Sequence, residues 1–168
     1  RNEKRKIAAI KVFFVGENNL FVKEETVNKL LIENMSNPLA IEKDKLDLNN
    51  VEKSLDENPM IEKAEVYATV DGKLKAVIRQ KKPVARIYDG AKSYYIDHNG
   101  EIMPLSETYT ARVPIVTGEF DSTEKPKLHK LLNYIHNDDF LMKDIIYFER
   151  KKIFGKFSTL IRWIFRKK

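Results

Sequence analysis

Asp97 and His98 are adjacent in the run GAKSYYIDHNGEIMPLSETYTARVPIVTG, residues 90 to 118, and form the one pair in the chain that suggests acid-base work. A carboxylate that orients an imidazole must touch it, and neighbours in a strand point to opposite faces. The same letters, Asp-His-Asn-Gly, compose a tight turn in which Asn99 and Gly100 tolerate positive φ and Asp97 bonds the backbone ahead of it. The residues therefore predict a turn, with no catalytic residue. His129 and His136 lie seven residues apart on a helical pattern, two turns along one side. That separation is too great for joint ligation of one ion, and they read as surface histidines. The six glycines stand singly at the ends of strand-like runs, so no Gly-rich loop cradles a phosphate. With no cysteine, disulfides, thiolate zinc sites and cysteine nucleophiles are excluded, while the redox compartment stays open. No cofactor and no metal are expected.

The net charge of +6 is modest, and the positive residues gather at 4–6, 79–82, 150–152 and 166–168 rather than in one stripe. They read as solvated ends and edges, with an anionic membrane surface left open. Tyr88, Tyr94, Tyr95 and Tyr109 have basic neighbours, but nothing resembling an RRM, KH or helix-turn-helix signature organises them. They read as strand packing with wet hydroxyls, and no nucleic-acid partner is expected. No window holds eighteen apolar residues, so no bilayer span is expected within this stretch, and Arg1 to Lys6 are not followed by a signal-peptide core.

The elements that hold these residues follow from hydrophobic periodicity. Lys6 to Val15 alternates with Ile10, Val12 and Phe14 inward and reads as a strand ending at Gly16. Val27, Leu30 and Leu31, behind Glu24 and Glu25, predict a helix from about Lys23 to Met35. Asp47 to Asn50 offer a cap for a second helix carrying Leu48, Val51 and Leu55, closed by Asn58-Pro59. Two strands follow, IEKAEVYATV and KLKAVIRQ. A two-residue loop at Asp71-Gly72 would mix apolar and charged positions on both faces. A three-residue loop, Val70-Asp71-Gly72, sets Ala68 opposite Leu74, Val66 opposite Ala76 and Ala64 opposite Ile78, and leaves Glu65, Tyr67, Lys73 and Lys75 on the other side. The bulged form is the prediction. Two helices on one face of a three-stranded sheet complete a first unit.

RQKKP marks a boundary, with Pro83 opening a new element or an edge. VARIY, SYYID, EIMPL and VPIVTG, punctuated by Asp89-Gly90 and Asn99-Gly100, predict an antiparallel meander. Pro126 introduces a helix with the stripe Leu128, Leu131, Leu132 and Ile135, and DFLMKDIIYFE reads as strand. The closing KIFGKFSTLIRWIFRKK could be a membrane-surface helix, but alternation favours strands with Phe157, Thr159, Ile161, Trp163 and Phe165 on one face. The chain is expected to be α+β, in two domains, 1–82 and 83–168.

Asn58-Pro59, KAEVY, VDGKLKAVIRQ, KKPVARI, YYIDHNGEIMPLS and YTARVPIVTG together resemble the extracytoplasmic part of the FtsQ/DivIB cell-division family, in the form found in Bacteroidetes. The resemblance covers most of residues 7 to 137, and implies a POTRA domain followed by a mostly antiparallel β domain with one or more helices. It further implies a noncatalytic divisome scaffold, at the septum on the periplasmic face of the inner membrane. An upstream helix absent from this stretch would anchor it, and its partners would be FtsB and FtsL, with other division proteins reached through the POTRA domain. The family captures an FtsB segment by strand addition at its last strands, which here fall on Phe157, Ser158, Thr159, Leu160, Ile161, Arg162 and Trp163. After about residue 137 the family's landmarks lie closer together than its intervening helix and hairpins require, so the second domain is expected to be incomplete or gapped there. The alternative class is a POTRA-type chaperone or translocation module that guides extended polypeptides.

Overall fold

The computed structural model describes residues 7–16, 21–35, 47–118, 120, 123–149, 151–153, 156–158 and 164–165. The chain divides into two compact units, Arg1–Lys81 and Lys82–Lys168.

In the first unit the order is β1 (Ala9–Val15), α1 (Glu24–Met35), α2 (Leu48–Asp56), β2 (Ile61–Ala68) and β3 (Lys73–Gln80). The sheet order is β1-β3-β2, with β1 parallel and β2 antiparallel to the central β3. Period-two alternation puts Ala64, Val66, Leu74, Ala76 and Ile78 on one face. There they pack with Val27, Leu31 and Met35 of α1 and Val51 and Leu55 of α2, and with the partly buried Ile10, Val12 and Phe14. The first strand begins at Ala9, three residues after the expected Lys6.

The β2–β3 hairpin has the bulged register: Ala68 faces Leu74, Val66 faces Ala76 and Ala64 faces Ile78. Gly72 takes φ 81°, the left-handed conformation in which a side chain would be strained, and its N–H returns to the Thr69 carbonyl at 3.1 Å. Helix α2 is capped by Asp47, whose Oδ1 accepts from the Asn50 N–H at 3.1 Å. Gln80 is buried at the end of β3. Its Oε1 accepts from the N–H groups of Phe21 and Val22 at 2.9 and 3.1 Å, and its Nε2 donates to the Val22 carbonyl at 2.9 Å. One side chain thus bonds three main-chain groups and ties the entry of α1 to the sheet.

The second unit contains β4 (Pro83–Tyr88), β5 (Ser93–Asp97), β6 (Ile102–Met103), β7 (Ile115–Thr117), α3 (Lys125–His136), α4 (Asp139–Asp144), β8 (Ile145–Glu149), β9 (Lys151–Ile153), β10 (Lys156–Ser158) and β11 (Ile164–Phe165). Six strands form one sheet in the order β11-β8-β7-β4-β5-β6, and β9 and β10 form an antiparallel pair. Val84, Ala85, Ile87, Val116, Ile145 and Phe148 build the core with Leu132 and Ile135 of α3.

Two sequence readings need correction here. The meander holds only for β4, β5 and β6. The fourth strand, VPIVTG, joins the far side of β4 in parallel, with Ile87 beside Val116, and β8 continues in parallel beyond it. The physical reason is the long link over residues 104–114. It frees β7 from hairpin geometry and lets it enter beside β4, whose residues Pro83, Val84, Ala85 and Ile87 are buried as in a central strand. Pro83 stands at the first position of that strand, where the missing N–H is tolerated. The second correction concerns DFLMKDIIYFE, which is half helix. Asp138 Oδ1 accepts from the N–H groups of Phe140 and Leu141 at 2.9 and 3.0 Å, starting α4, and the strand begins at Ile145. The N-cap signal in Asn-Asp-Asp outweighs the apolar alternation that follows.

Candidate functional site

Sheet edges are where main-chain donors and acceptors lack partners, and the two units present them differently. In the six-stranded sheet the order ends at β11 on one side and β6 on the other. Each is two residues long. β11 pairs with β8 in antiparallel register, Ile164 with Tyr147 and Phe165 with Ile145, with an irregularity between the two. Of the candidate capture residues, Phe157 and Ser158 lie in β10, opposite Lys152 and Lys151 of β9. Thr159, Leu160, Ile161, Arg162 and Trp163 lie outside the described residues. β9 and β10 are a two-stranded sheet of their own, apart from the edge that β11 supplies.

In the first unit the outer side of β2 is occupied by the protein's own carboxylates. Glu52 Oε1 accepts from the Val66 N–H at 2.6 Å and Asp56 Oδ1 from the Ala64 N–H at 2.7 Å. Both acids project from α2, one turn apart, so they meet alternate residues of the strand. An incoming strand would have to displace both. The sequence reading did not single out these acids; the signal available was their one-turn spacing on a helix that ends just before an edge strand.

Asp97 is fully buried and its Oδ1 accepts from the N–H groups of Asn99 and Glu101 at 3.0 and 2.8 Å. The Gly100 N–H returns to the Asp97 carbonyl at 3.0 Å, and Gly100 takes φ 86°. This carboxylate organises a turn, as the letters predict. The turn is locked onto α3. His129 Nε2 and Asn133 Nδ2 both donate to the His98 carbonyl at 2.9 Å, and the His129 ring lies 3.4 Å from where a Cβ on Gly100 would stand. The reading of His129 and His136 as surface residues is thus corrected: both are half-buried. His136 Nδ1 is buried without a hydrogen-bond partner, and burial, then the neighbouring His98 and Lys82, hold its pKa below the ordinary imidazole value. The tyrosines also differ among themselves. Tyr88 is exposed and Tyr94 is half-buried, but Tyr95 is buried with its hydroxyl accepting from the Ala111 N–H at 3.1 Å, so that hydroxyl serves the 104–114 link rather than solvent. Among the described residues no group of three or more His, Asp or Glu is arranged to hold a metal ion.

A helix-backed three-stranded unit followed by a mixed-sheet unit with short edge strands defines a two-module α+β protein. Two families match it. The POTRA-like domain matches residues 16–79, and FtsQ/DivIB, C-terminal related, matches residues 82–158. The chain is thus FtsQ/DivIB-like over its second unit and POTRA-like over its first, and the families it matches are scaffold domains, generally noncatalytic. No curated protein matches the sequence. Among the described residues no helix is long and apolar enough to cross a membrane.

Proposed function

We propose that this chain is a noncatalytic scaffold of the bacterial divisome. In this reading it stands on the periplasmic face of the inner membrane at the septum, held by a membrane helix upstream of Arg1. It binds FtsB- and FtsL-type partners by adding a partner strand along Phe157, Ser158, Thr159, Leu160, Ile161, Arg162 and Trp163. The domain limits 1–82 and 83–168 belong to the same proposal. The observation that carries it is the end of the six-stranded sheet: the candidate segment immediately precedes β11 in the chain, and among the described residues β11 is a two-residue edge strand paired with Tyr147 and Ile145 of β8. A strand added there gains main-chain hydrogen bonds for affinity and alternate side-chain positions for specificity. The competing reading, a POTRA-type polypeptide-binding module, calls for an accessible edge in the first unit, and on the β2 side Glu52 and Asp56 occupy it.

The test is capture of an FtsB-like coiled-coil protein by the intact chain and by Ile161→Pro. Proline has no N–H to donate to an added strand. Loss of capture with an unchanged circular dichroism spectrum is the expected result. Capture at wild-type level by the folded variant would remove the site.

A further inference from the structure

We infer that the face of the β1-β3-β2 sheet opposite α1 and α2 is a docking surface for an acidic amphipathic helix of a partner protein. Register places its side chains in three rows: Lys11, Lys75 and Tyr67; Phe13, Val77 and Glu65; Val15, Arg79 and Lys63. Across these rows Val15, Val77 and Tyr67 form an apolar diagonal from β1 to β2. Phe13, Lys11 and Lys75 flank it on one side, and Arg79, Lys63 and Glu65 on the other. Val15, Phe13 and Tyr67 are each more than 40% exposed, although the opposite face of the same strands is closed by two helices. Single exposed apolar residues are ordinary on protein surfaces, but a contiguous stripe rimmed by charge marks an interaction site.

Charge identifies the occupant. The face and its hairpin carry Lys11, Lys63, Lys73, Lys75 and Arg79 against Glu65 and Asp71. Glu65 is bonded to Lys63 at 2.6 Å and Asp71 to Lys73, which leaves Lys11, Lys75 and Arg79 as the positive excess. The Lys75 ammonium sits between the Phe13 and Tyr67 rings, 5.7 and 5.9 Å from their centroids, so the aromatic pair is held in place before any partner arrives. Three strands give a platform roughly 10 Å wide between outer strand axes and about 23 Å long, the footprint of about four helical turns. A helix with an apolar stripe flanked by carboxylates meets the diagonal with the stripe and the cations with its acids. This surface is separate from residues 157–163, and its test leaves them unaltered.

The probe is a synthetic helix of about four turns with leucines at i, i+3, i+4 and i+7 flanked by glutamates, titrated into the ¹⁵N-labelled intact chain. Amide shifts confined to β1, β3 and β2, and affinity reduced at least about tenfold in a Lys75→Glu/Arg79→Glu variant of unchanged circular dichroism, are the expected results. Phe13→Ser, which alters no core contact of the helix-backed face, is expected to weaken the same complex. Equal binding of a peptide with lysines in place of the glutamates, or of polyglutamate without the leucines, would overturn the inference. So would unchanged affinity in the charge-reversal variant. A response to phosphatidylglycerol vesicles and none to the peptide would overturn it in favour of a lipid surface.

Discussion

Gln80 shows how much one polar side chain can determine. At Phe21 and Val22, just before α1, the amide supplies an acceptor for two main-chain N–H groups and a donor for one carbonyl. Gln80→Met keeps the length of the side chain and removes all three bonds, so the variant is expected to lose about 2–3 kcal/mol of stability, measured by urea unfolding. His136 makes a pH-dependent contribution. Its folded pKa is held below the 6.5 of an ordinary imidazole, so as pH falls through 6.5 the unfolded chain takes up a proton that the folded chain refuses. The stability it contributes is therefore present above about pH 6.5, declines below it, and stops declining below the folded pKa. Unfolding midpoints measured between pH 8 and pH 5 are expected to fall less steeply in His136→Asn than in the wild type. Equal slopes would show that the imidazole titrates normally.

Among the elements, β2 and α2 act as a pair whose relation is more than packing. The strand is at the sheet edge, and two carboxylates from the helix complete the hydrogen bonds of Ala64 and Val66. Natural sheets often protect their edges with charge, and here the charge is bonded to the main chain itself. Glu52→Ala/Asp56→Ala is expected to cost about 1–2 kcal/mol per lost charge-assisted bond and to expose an edge that pairs with other chains. Size-exclusion chromatography with light scattering should show concentration-dependent dimers for the variant and not for the wild type. The hairpin that follows was legible because its alternatives differ by a whole face. With Gly72 in the left-handed conformation, Ala64 and Val66 of β2 and Leu74, Ala76 and Ile78 of β3 meet the helices together, and a one-residue slip of either strand would turn Glu65 or Lys75 toward them. The parallel entry of β7 was not legible, since VPIVTG alternates identically in either direction and strand polarity depends on where the 104–114 link delivers it.

For the whole molecule, the fold class follows from composition and period, while the function depends on what remains uncovered. Each unit closes one face of its sheet with helices whose apolar stripes, Val27, Leu31 and Met35 in α1 and Leu132 and Ile135 in α3, are plain in the letters. What the sequence determined by itself was local: the helices α1, α2 and α3, the cap at Asp47, the bulged hairpin and the turn at Asp97, all set by contacts a few residues long. The tertiary structure alone decided which strand lies beside which, that Glu52 and Asp56 reach an edge while β11 ends another, and that Val15, Val77 and Tyr67 line up across three strands. The physical reason is that edges and faces are made by residues far apart in the chain, and alternation fixes the side on which a residue stands without fixing its neighbour.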